Sequence, residues 1–261
     1  MYETLLYEVK EGVAHITLNR PENYNAFNQK MSEELLHAFK SVRKDDSARV
    51  VVLTGAGEKA FCSGQDLKEI KNQTGKRSLG DSVEKRYNPV VQLMADLAKP
   101  IICRLNGVAA GAGCSFALAC DIVVAAENAS LIEVFVNVGL VLDSGSSFFM
   151  PRLVGMKRAF ELCTMGSKIK AAEALELGLV NRVVAKEQLD EEVQKFTDFY
   201  AKAPTKAIGM IKKMLYKSTQ SNLKTMLQYE AYCQEIAGSS DDYQEGVAAF
   251  NEKRKPVFEG K

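Results

Sequence analysis

The chain has 261 residues, 46% of them hydrophobic and 26% charged, and its formal net charge at pH 7 is +1. This composition excludes a disordered or fibrous chain and supplies enough apolar side chain for a sizeable core. The near-zero charge offers no strong field for nucleic acid or for an anionic membrane surface. The cysteines, Cys62, Cys103, Cys114, Cys120, Cys163 and Cys233, form no C-x-x-C pair, and several lie in apolar runs. They read as reduced, mostly buried thiols of a cytoplasmic protein. His15 and His37 stand at no ligand-like spacing from them, so no metal site is expected. The first residues carry no basic and apolar leader pattern, and no apolar run approaches the ~20 residues that span a bilayer.

Residues 2–9 and 13–18 alternate apolar and polar side chains around Glu11-Gly12 and predict a β-hairpin. A loop follows at Pro21, Asn28 is placed to cap a helix, and Met31, Leu35, Leu36, Phe39 and Val42 recur at helical spacing. The unbroken run 50–53 reads as a fully buried strand, which gives the start of a βαβ arrangement. Residues 72–80 read as a polar loop at the mouth of a site, and 81–97 as a helix that Pro89 should break or kink. Strands are expected at 101–105, 121–125 and 179–184. Helices are expected at 112–119, 145–150 ahead of Pro151, 156–165, and 171–177 closed by Gly178. From Leu189 onward the pattern is helical, with a last helix at about 242–253. The apolar faces of that tail exceed what a small appendage buries by itself, so packing against another subunit is expected.

Two glycine-bearing stretches each follow an expected buried strand and lead into a segment that can be helical. One is Phe61-Cys62-Ser63-Gly64-Gln65-Asp66-Leu67 and the other is Asn106-Gly107-Val108-Ala109-Ala110-Gly111-Ala112-Gly113-Cys114. Small residues let a ligand approach such a turn, and the first N–H groups of a helix favour negative charge. Brought together, two such turns would hold one developing oxyanion between two main-chain donors. Asp143, in Gly139-Leu140-Val141-Leu142-Asp143-Ser144-Gly145, is an isolated carboxylate within a long apolar and small-residue stretch.

In this order and spacing, these stretches resemble the enoyl-CoA hydratase/isomerase (crotonase) superfamily. Asn19-Arg20-Pro21 followed by Asn25-Ala26-Phe27-Asn28 is similar to its N-terminal signature, and the resemblance extends from Tyr2 to the closing run at 248–254. Within the family the chain looks closest to the 1,2-epoxyphenylacetyl-CoA isomerase and enoyl-CoA isomerase branch. Tyr87-Asn88-Pro89, the run from Gly107 to Gly113, and Asp242-Tyr243-Gln244-Glu245-Gly246-Val247 carry that closer likeness. The resemblance implies an α/β fold of crotonase-like (ClpP/crotonase) type. Residues 1–190 would form a ββα spiral core and 191–261 a C-terminal helical trimerisation subdomain. It also implies a homotrimer or dimer of trimers acting on an acyl-CoA thioester. Coenzyme A would enter as part of the substrate, with no separate cofactor and no nucleic-acid or membrane partner.

By the same resemblance, the oxyanion donors are the N–H groups of Gln65 and Ala112. Tyr24, Ala26, Cys62, Gly64 and Gln65 lie along the pantetheine and adenine path, with Phe250 and Lys253 of a neighbouring subunit closing over the nucleotide. Ser115 and Phe135 stand where the hydratases carry two glutamates, so classical hydration is in doubt, since neither a hydroxyl nor a phenyl ring is a carboxylate base. Asp143 matches the acid of the isomerase members, and its apolar neighbours should raise its pKa.

The expected activity is therefore isomerisation of an acyl-CoA. It would be either a double-bond shift in an enoyl-CoA or conversion of 1,2-epoxyphenylacetyl-CoA to its oxepin isomer. The alternatives are an enoyl-CoA hydratase and a non-catalytic acyl-CoA-binding or interaction module. Asp66, Leu67, Tyr87, Gly111, Ser115, Glu133 and Phe135 complete the candidate site residues. Several have plainer readings. Asp143 could be a helix N-cap, Asp66 a cap of its turn, Tyr87 a core aromatic, and Glu133 a solvent-facing or subunit-contact acid sharing the strand parity of Phe135. Lys253-Arg254-Lys255 could be a solvated helix end.

Overall fold

The structure is a computed structural model that describes residues 2–71 and 78–261. Most of the loop expected at 72–80 lies outside the described residues; its end, Leu79–Ser82, is helical.

Six strands form the larger sheet: β1 (Leu5–Lys10), β2 (Val13–Leu18), β3 (Val50–Gly55), β5 (Ile101–Leu105), β7 (Ile122–Ala126) and β10 (Arg182–Val184), in the order β1-β2-β3-β5-β7-β10. Only the β1–β2 hairpin is antiparallel. The β-branched runs are buried on both faces, as parallel strands require. Val51 and Leu53 point into the main core, whereas Val50 and Val52 pack with Ile102 and Val124 against Leu189 and Val193. Leu189 and Val193 belong to helix α8 (Leu189–Tyr200), so the helical tail begins as a layer on this sheet.

The smaller sheet has strands of three residues each: β4 (Ala60–Cys62), β6 (Val108–Ala110), β8 (Ser130–Ile132) and β9 (Lys168–Lys170), in the order β4-β6-β8-β9. Such strands are too short to show a periodicity. Two buried asparagines hold them to the larger sheet through the β3–β4 connection. Asn25 Nδ2 donates to Ala56 O and Ala60 O at 2.9 Å, and Asn106 Nδ2 donates to Gly55 O and Gly57 O at 2.9 Å. These bonds satisfy carbonyls that no ladder reaches.

Helix α1 (Gln29–Lys44) begins at Asn28, whose side chain accepts the Met31 N–H at 2.8 Å. It buries Met31, Leu35, Ala38, Phe39 and Val42 along one face. At its other end, buried Lys99 donates to Val42 O and Asp45 O, both at 2.6 Å. After α2 (Leu67–Lys71) and α3 (Leu79–Ser82) comes a π-helical turn, Val83–Tyr87, and then α4 (Asn88–Asp96). Pro89 neither breaks nor ends a helix here. It falls in the first turn of α4, where its missing N–H costs least.

Helix α5 (Ala112–Leu118) is wholly buried. Helix α6 (Ser146–Met165) runs through Pro151, the expected stop, and is broken instead at Gly155, whose φ is +75°. Short α7 (Ala171–Glu176) precedes β10, and α8 is followed by α9 (Thr205–Ser218), α10 (Leu223–Gly238) and α11 (Asp241–Asn251). The tail is fastened to the body by polar bonds. Lys212 of α9 donates to Met94 O at 2.8 Å and pairs with Asp121 at 2.7 Å, and Arg49 donates to Phe258 O at 2.9 Å. Large apolar side chains remain exposed along it, including Leu215, Leu223, Tyr232 and Phe250. Among the described residues no helix is long and apolar enough to cross a membrane.

Candidate active site

The two glycine turns meet at the ends of β4 and β6. Gly64 has φ +89°, and a Cβ there would lie 2.8 Å from Ala110 O and 3.5 Å from Ala112 N. Only a residue without a side chain allows this approach. Gly113 is as tightly placed, since a Cβ on it would stand 2.2 Å from Cys62 O. Gln65 forms a parallel bridge with Phe27, in which the Phe27 N–H donates to Gly64 O at 2.7 Å and the Asp66 N–H to Phe27 O at 2.9 Å. In extended backbone successive N–H groups alternate sides, so the Gln65 N–H points away from Phe27. Ala112 is the first residue of α5, where N–H groups lack partners within the helix.

Asp143 enters from the loop before α6. It is half-buried, and Ser144 Oγ donates to its Oδ1 at 2.8 Å. Burial raises its carboxyl above the ordinary value, and the Ser144 bond pulls it part of the way back. Its side chain is not the cap of α6. Gly145 holds that position with no side-chain cap, and the Ser146 N–H donates to the Asp143 main-chain carbonyl at 3.1 Å. Ser144 carries φ +53°, a left-handed conformation uncommon for a residue with a side chain. Replacing Ser144 by alanine removes a bond that favours the Asp143 carboxylate. The acidic limb of the pH–rate profile should then move to higher pH; an unmoved limb would mean that the hydroxyl does not tune this acid.

Ser115 joins the Asp143 loop to the second glycine turn. Its Oγ lies 3.3 Å from Gly111 O, 3.2 Å from Asp143 O and 2.7 Å from Ser146 Oγ. Ser146 Oγ is 2.7 Å from Glu133 Oε1. Glu133 is completely buried, so the expectation of a solvent-facing or subunit-contact acid does not hold. Nor does a strand parity relate it to Phe135, because Val134–Val138 is a 3-10 turn. Burial pushes Glu133 up to about 7, against the lowering effect of Ser146 and Cys114, and the nearby Asp143 charge adds to the rise. The Phe135 ring reaches the neighbourhood of Gly111, at 4.0 Å from where a Cβ would be.

Other candidates fall differently. Tyr87 is a core residue, packed between Phe27 and Phe116 with ring centroids 5.8 and 6.4 Å away. The Cys62 side chain is completely buried, and its thiol is pushed up to about 12, so only its main chain can face a ligand. Asp66 is buried and pairs with Arg20 at 2.8 Å, while its other oxygen accepts the Lys68 N–H at 3.0 Å at the start of α2. Burial raises the Asp66 carboxyl, but Arg20 and the main-chain donors outweigh it and hold the group below its ordinary range. Ala26 is buried beside this pair, and its carbonyl oxygen accepts a hydrogen bond from Arg20 Nη1 at 2.6 Å. Tyr24 and Leu67 are exposed near the first turn, and Phe250 and Lys253 are exposed at the end of α11. A cavity of 400 Å³ bordered by Gly145, Phe148 and Phe149 adjoins the Asp143 loop. A larger one of 1090 Å³, lined by Tyr7, His15 and His37 among others, contains none of the candidates. No cluster able to hold a metal ion occurs among the described residues.

Cys114 carries no local signal of a part in this network. Two serines flanking Gly145 within an apolar stretch were the one visible hint.

The sequence profile of the enoyl-CoA hydratase/isomerase family matches residues 8–261. The chain belongs to the enoyl-CoA hydratase/isomerase family. It is 43% identical over 263 residues to 1,2-epoxyphenylacetyl-CoA isomerase of Escherichia coli (strain K12), covering 100% of both chains. It is 32% identical to trans-2-decenoyl-[acyl-carrier-protein] isomerase of Streptococcus mutans, covering 100% of this chain and 99% of that one. Among solved structures, enoyl-CoA hydratase from Bacillus anthracis superposes with a TM-score of 0.92 at 33% identity, covering 99% of this chain and 100% of that one. The fold is thus the α/β crotonase-like architecture of the enoyl-CoA hydratase/isomerase family, two-sheet core and C-terminal helices included.

Proposed function

We propose that this member of the family is an acyl-CoA thioester isomerase. The substrate's carbonyl oxygen takes hydrogen bonds from the Gln65 and Ala112 N–H groups, which stabilise the enolate formed when Asp143 removes the acidic proton beside that carbonyl. Asp143 then returns the proton to a different carbon. One carboxylate suffices for such a transfer, whereas adding water calls for a group to activate the water and one to protonate the carbon.

The observation that carries this reading is the environment of Asp143. It is a half-buried carboxyl with a raised pKa, on a loop that Ser115 ties to the Gly111 turn. Ser115 and Phe135 offer no carboxylate, and Glu133 is sealed from solvent. Coenzyme A enters with the substrate, its path running past Tyr24, Ala26 and Leu67. The likeness to an epoxyphenylacetyl-CoA isomerase favours that thioester or a 3-enoyl-CoA.

The test is a spectroscopic assay of 3-enoyl-CoA, 2-enoyl-CoA and 1,2-epoxyphenylacetyl-CoA side by side. Turnover of the first or third with no net hydration is expected. Hydration of 2-enoyl-CoA as the main activity would replace the isomerase reading by the hydratase one.

The same proposal covers assembly. Residues 191–261 act as the oligomerisation subdomain of a cytoplasmic trimer or dimer of trimers, burying the exposed side chains of α9 to α11 and bringing Phe250 and Lys253 to a neighbour's nucleotide. Sedimentation at the mass of one chain would refute this.

A further inference from the structure

Behind the Asp143 loop lies a closed run of polar groups: Glu133 Oε1, Ser146 Oγ, Ser115 Oγ, and then the main-chain carbonyls of Gly111 and Asp143. The three side chains are completely buried. Glu133 Oε2 has no hydrogen-bond partner of normal geometry. A serine hydroxyl carries one proton and donates once, so the run has two settings. With Glu133 ionised, Ser146 donates to Oε1 and Ser115 donates to Ser146, which leaves the two carbonyls without the Ser115 proton. With Glu133 neutral and its proton on Oε1, that O–H donates to Ser146, Ser146 donates to Ser115, and Ser115 is released to donate to Asp143 O at 3.2 Å or to Gly111 O at 3.3 Å, the latter already accepting the Ser115 main-chain N–H at 3.0 Å. The Gly111 carbonyl belongs to the same peptide unit as the Ala112 N–H. Hydrogen bonds in series polarise one another, so a donor at the carbonyl end strengthens the N–H at the other.

We propose that Glu133 is a positioning residue that sets the direction of the Ser146–Ser115 hydroxyl chain, and through it the strength of the Ala112 N–H as an oxyanion donor. This rests on the isomerase reading, in which that N–H meets the thioester oxygen. No covalent step is involved; hydroxyl protons rotate, and one proton joins or leaves Glu133.

The surroundings hold Glu133 at the balance point between its two forms. The titratable groups that face it are Cys114 of α5, Asp143 of the loop ahead of α6, and Cys163 of α6. Burial pushes both thiols upward, Cys163 to about 11, so both remain neutral. None of these groups is a cation that would fix a buried carboxylate, and the Asp143 charge works against ionisation. The sign follows. A carboxyl raised to about 7 is neutral below that pH, where the chain points at the Asp143 and Gly111 carbonyls, and ionised above it, where the chain reverses.

The test combines a pH–rate profile with infrared spectroscopy. Losing an oxyanion donor costs ~10²–10³ in kcat, and series polarisation changes a bond by roughly a tenth to a third, so kcat should fall about two- to eightfold as pH rises through this region. Glu133→Gln offers Ser146 an amide N–H at every pH and should abolish the step. Glu133→Leu removes the carboxylate acceptor, leaving the two carbonyls as the only acceptors at the ends of the chain, and should likewise give a flat kcat without the step, with KM within about twofold of the wild-type value. Independently of any substrate, the infrared band of a protonated carboxyl should disappear from the wild type over the same pH range, and Glu133→Gln should lack that band. A step in kcat that survives Glu133→Gln, or the absence of a titrating band that Glu133→Gln removes, would overturn the proposal. A wild-type enzyme that turns over none of the three thioesters would instead sink the reading on which it rests.

Discussion

Replacing Asp143 by asparagine abolishes turnover and leaves acyl-CoA binding within a few-fold of the wild-type affinity. The amide keeps the shape of the side chain and can still accept from Ser144 Oγ, which sits 2.8 Å from Oδ1. What it loses is basicity. A positioned general base typically contributes ~10²–10⁴ in rate, and with Glu133 sealed from solvent and no carboxylate at Ser115 or Phe135 the loss should reach the upper end of that range. The measurement is kcat and KM on the best of the three thioesters, with affinity for a non-reacting acyl-CoA determined by calorimetry. A variant that kept full turnover would remove Asp143 from the chemistry. A variant that lost binding and turnover together would make the carboxylate a structural group of the loop.

The second large effect is expected at Gly64. An alanine there must adopt φ +89° and put its Cβ 2.8 Å from Ala110 O. The backbone conformation costs an L-residue about 1–2 kcal/mol, and forcing the contact apart adds about 1–3 kcal/mol. The two turns separate, and the donors proposed at Gln65 and Ala112 can no longer meet one oxygen. Misplacing one donor costs ~10²–10³ in kcat, so the rate should fall by that order while the protein still folds with Tm lowered by about 3–8 °C. Gly178→Ala separates strain from geometry. Its φ is +76°, yet a Cβ there meets nothing within 4 Å. It should lower Tm and leave kcat unchanged. Equal rates for Gly64→Ala and the wild type would show that the close approach of the turns is not needed for catalysis.

Much of the architecture can be read from local pattern. Asn28 caps α1 as its side chain allows, and Met31, Leu35, Phe39 and Val42 fall on the buried face of that helix. The β-branched run at Val50 and the apolar run at Ile101 became central parallel strands. Other features were legible only as possibilities. A proline predicts a break, but Pro89 sits at the start of α4 after a π-helical turn, and Pro151 lies inside α6 while Gly155 makes the break. A proline's effect depends on whether its N–H was needed at that point, and the neighbouring turns decide this.

The smaller sheet escaped notice for a different reason. Strands of three residues have no period to detect; β4 is held by Asn25, Asn106 and its pairing with β6, and β8 and β9 by pairing in turn with β6 and with each other.

That Ser115 and Phe135 replace the glutamates of the hydratases is what the family likeness implies; residue type and spacing by themselves offer two turns able to expose amides and one acid among apolar neighbours. Those are local properties, written into side chains and glycine positions. Which groups touch is a property of the packed chain. Gly64, just past β4, meets Ala110 of β6, and Ser115 reaches the Asp143 carbonyl across 28 residues of sequence. The protonation of Glu133 belongs to that second kind. A glutamate's pattern in sequence says nothing of its desolvation, and it is complete burial, aided by the nearby Asp143 charge and opposed by Ser146 and Cys114, that brings its carboxyl to about 7.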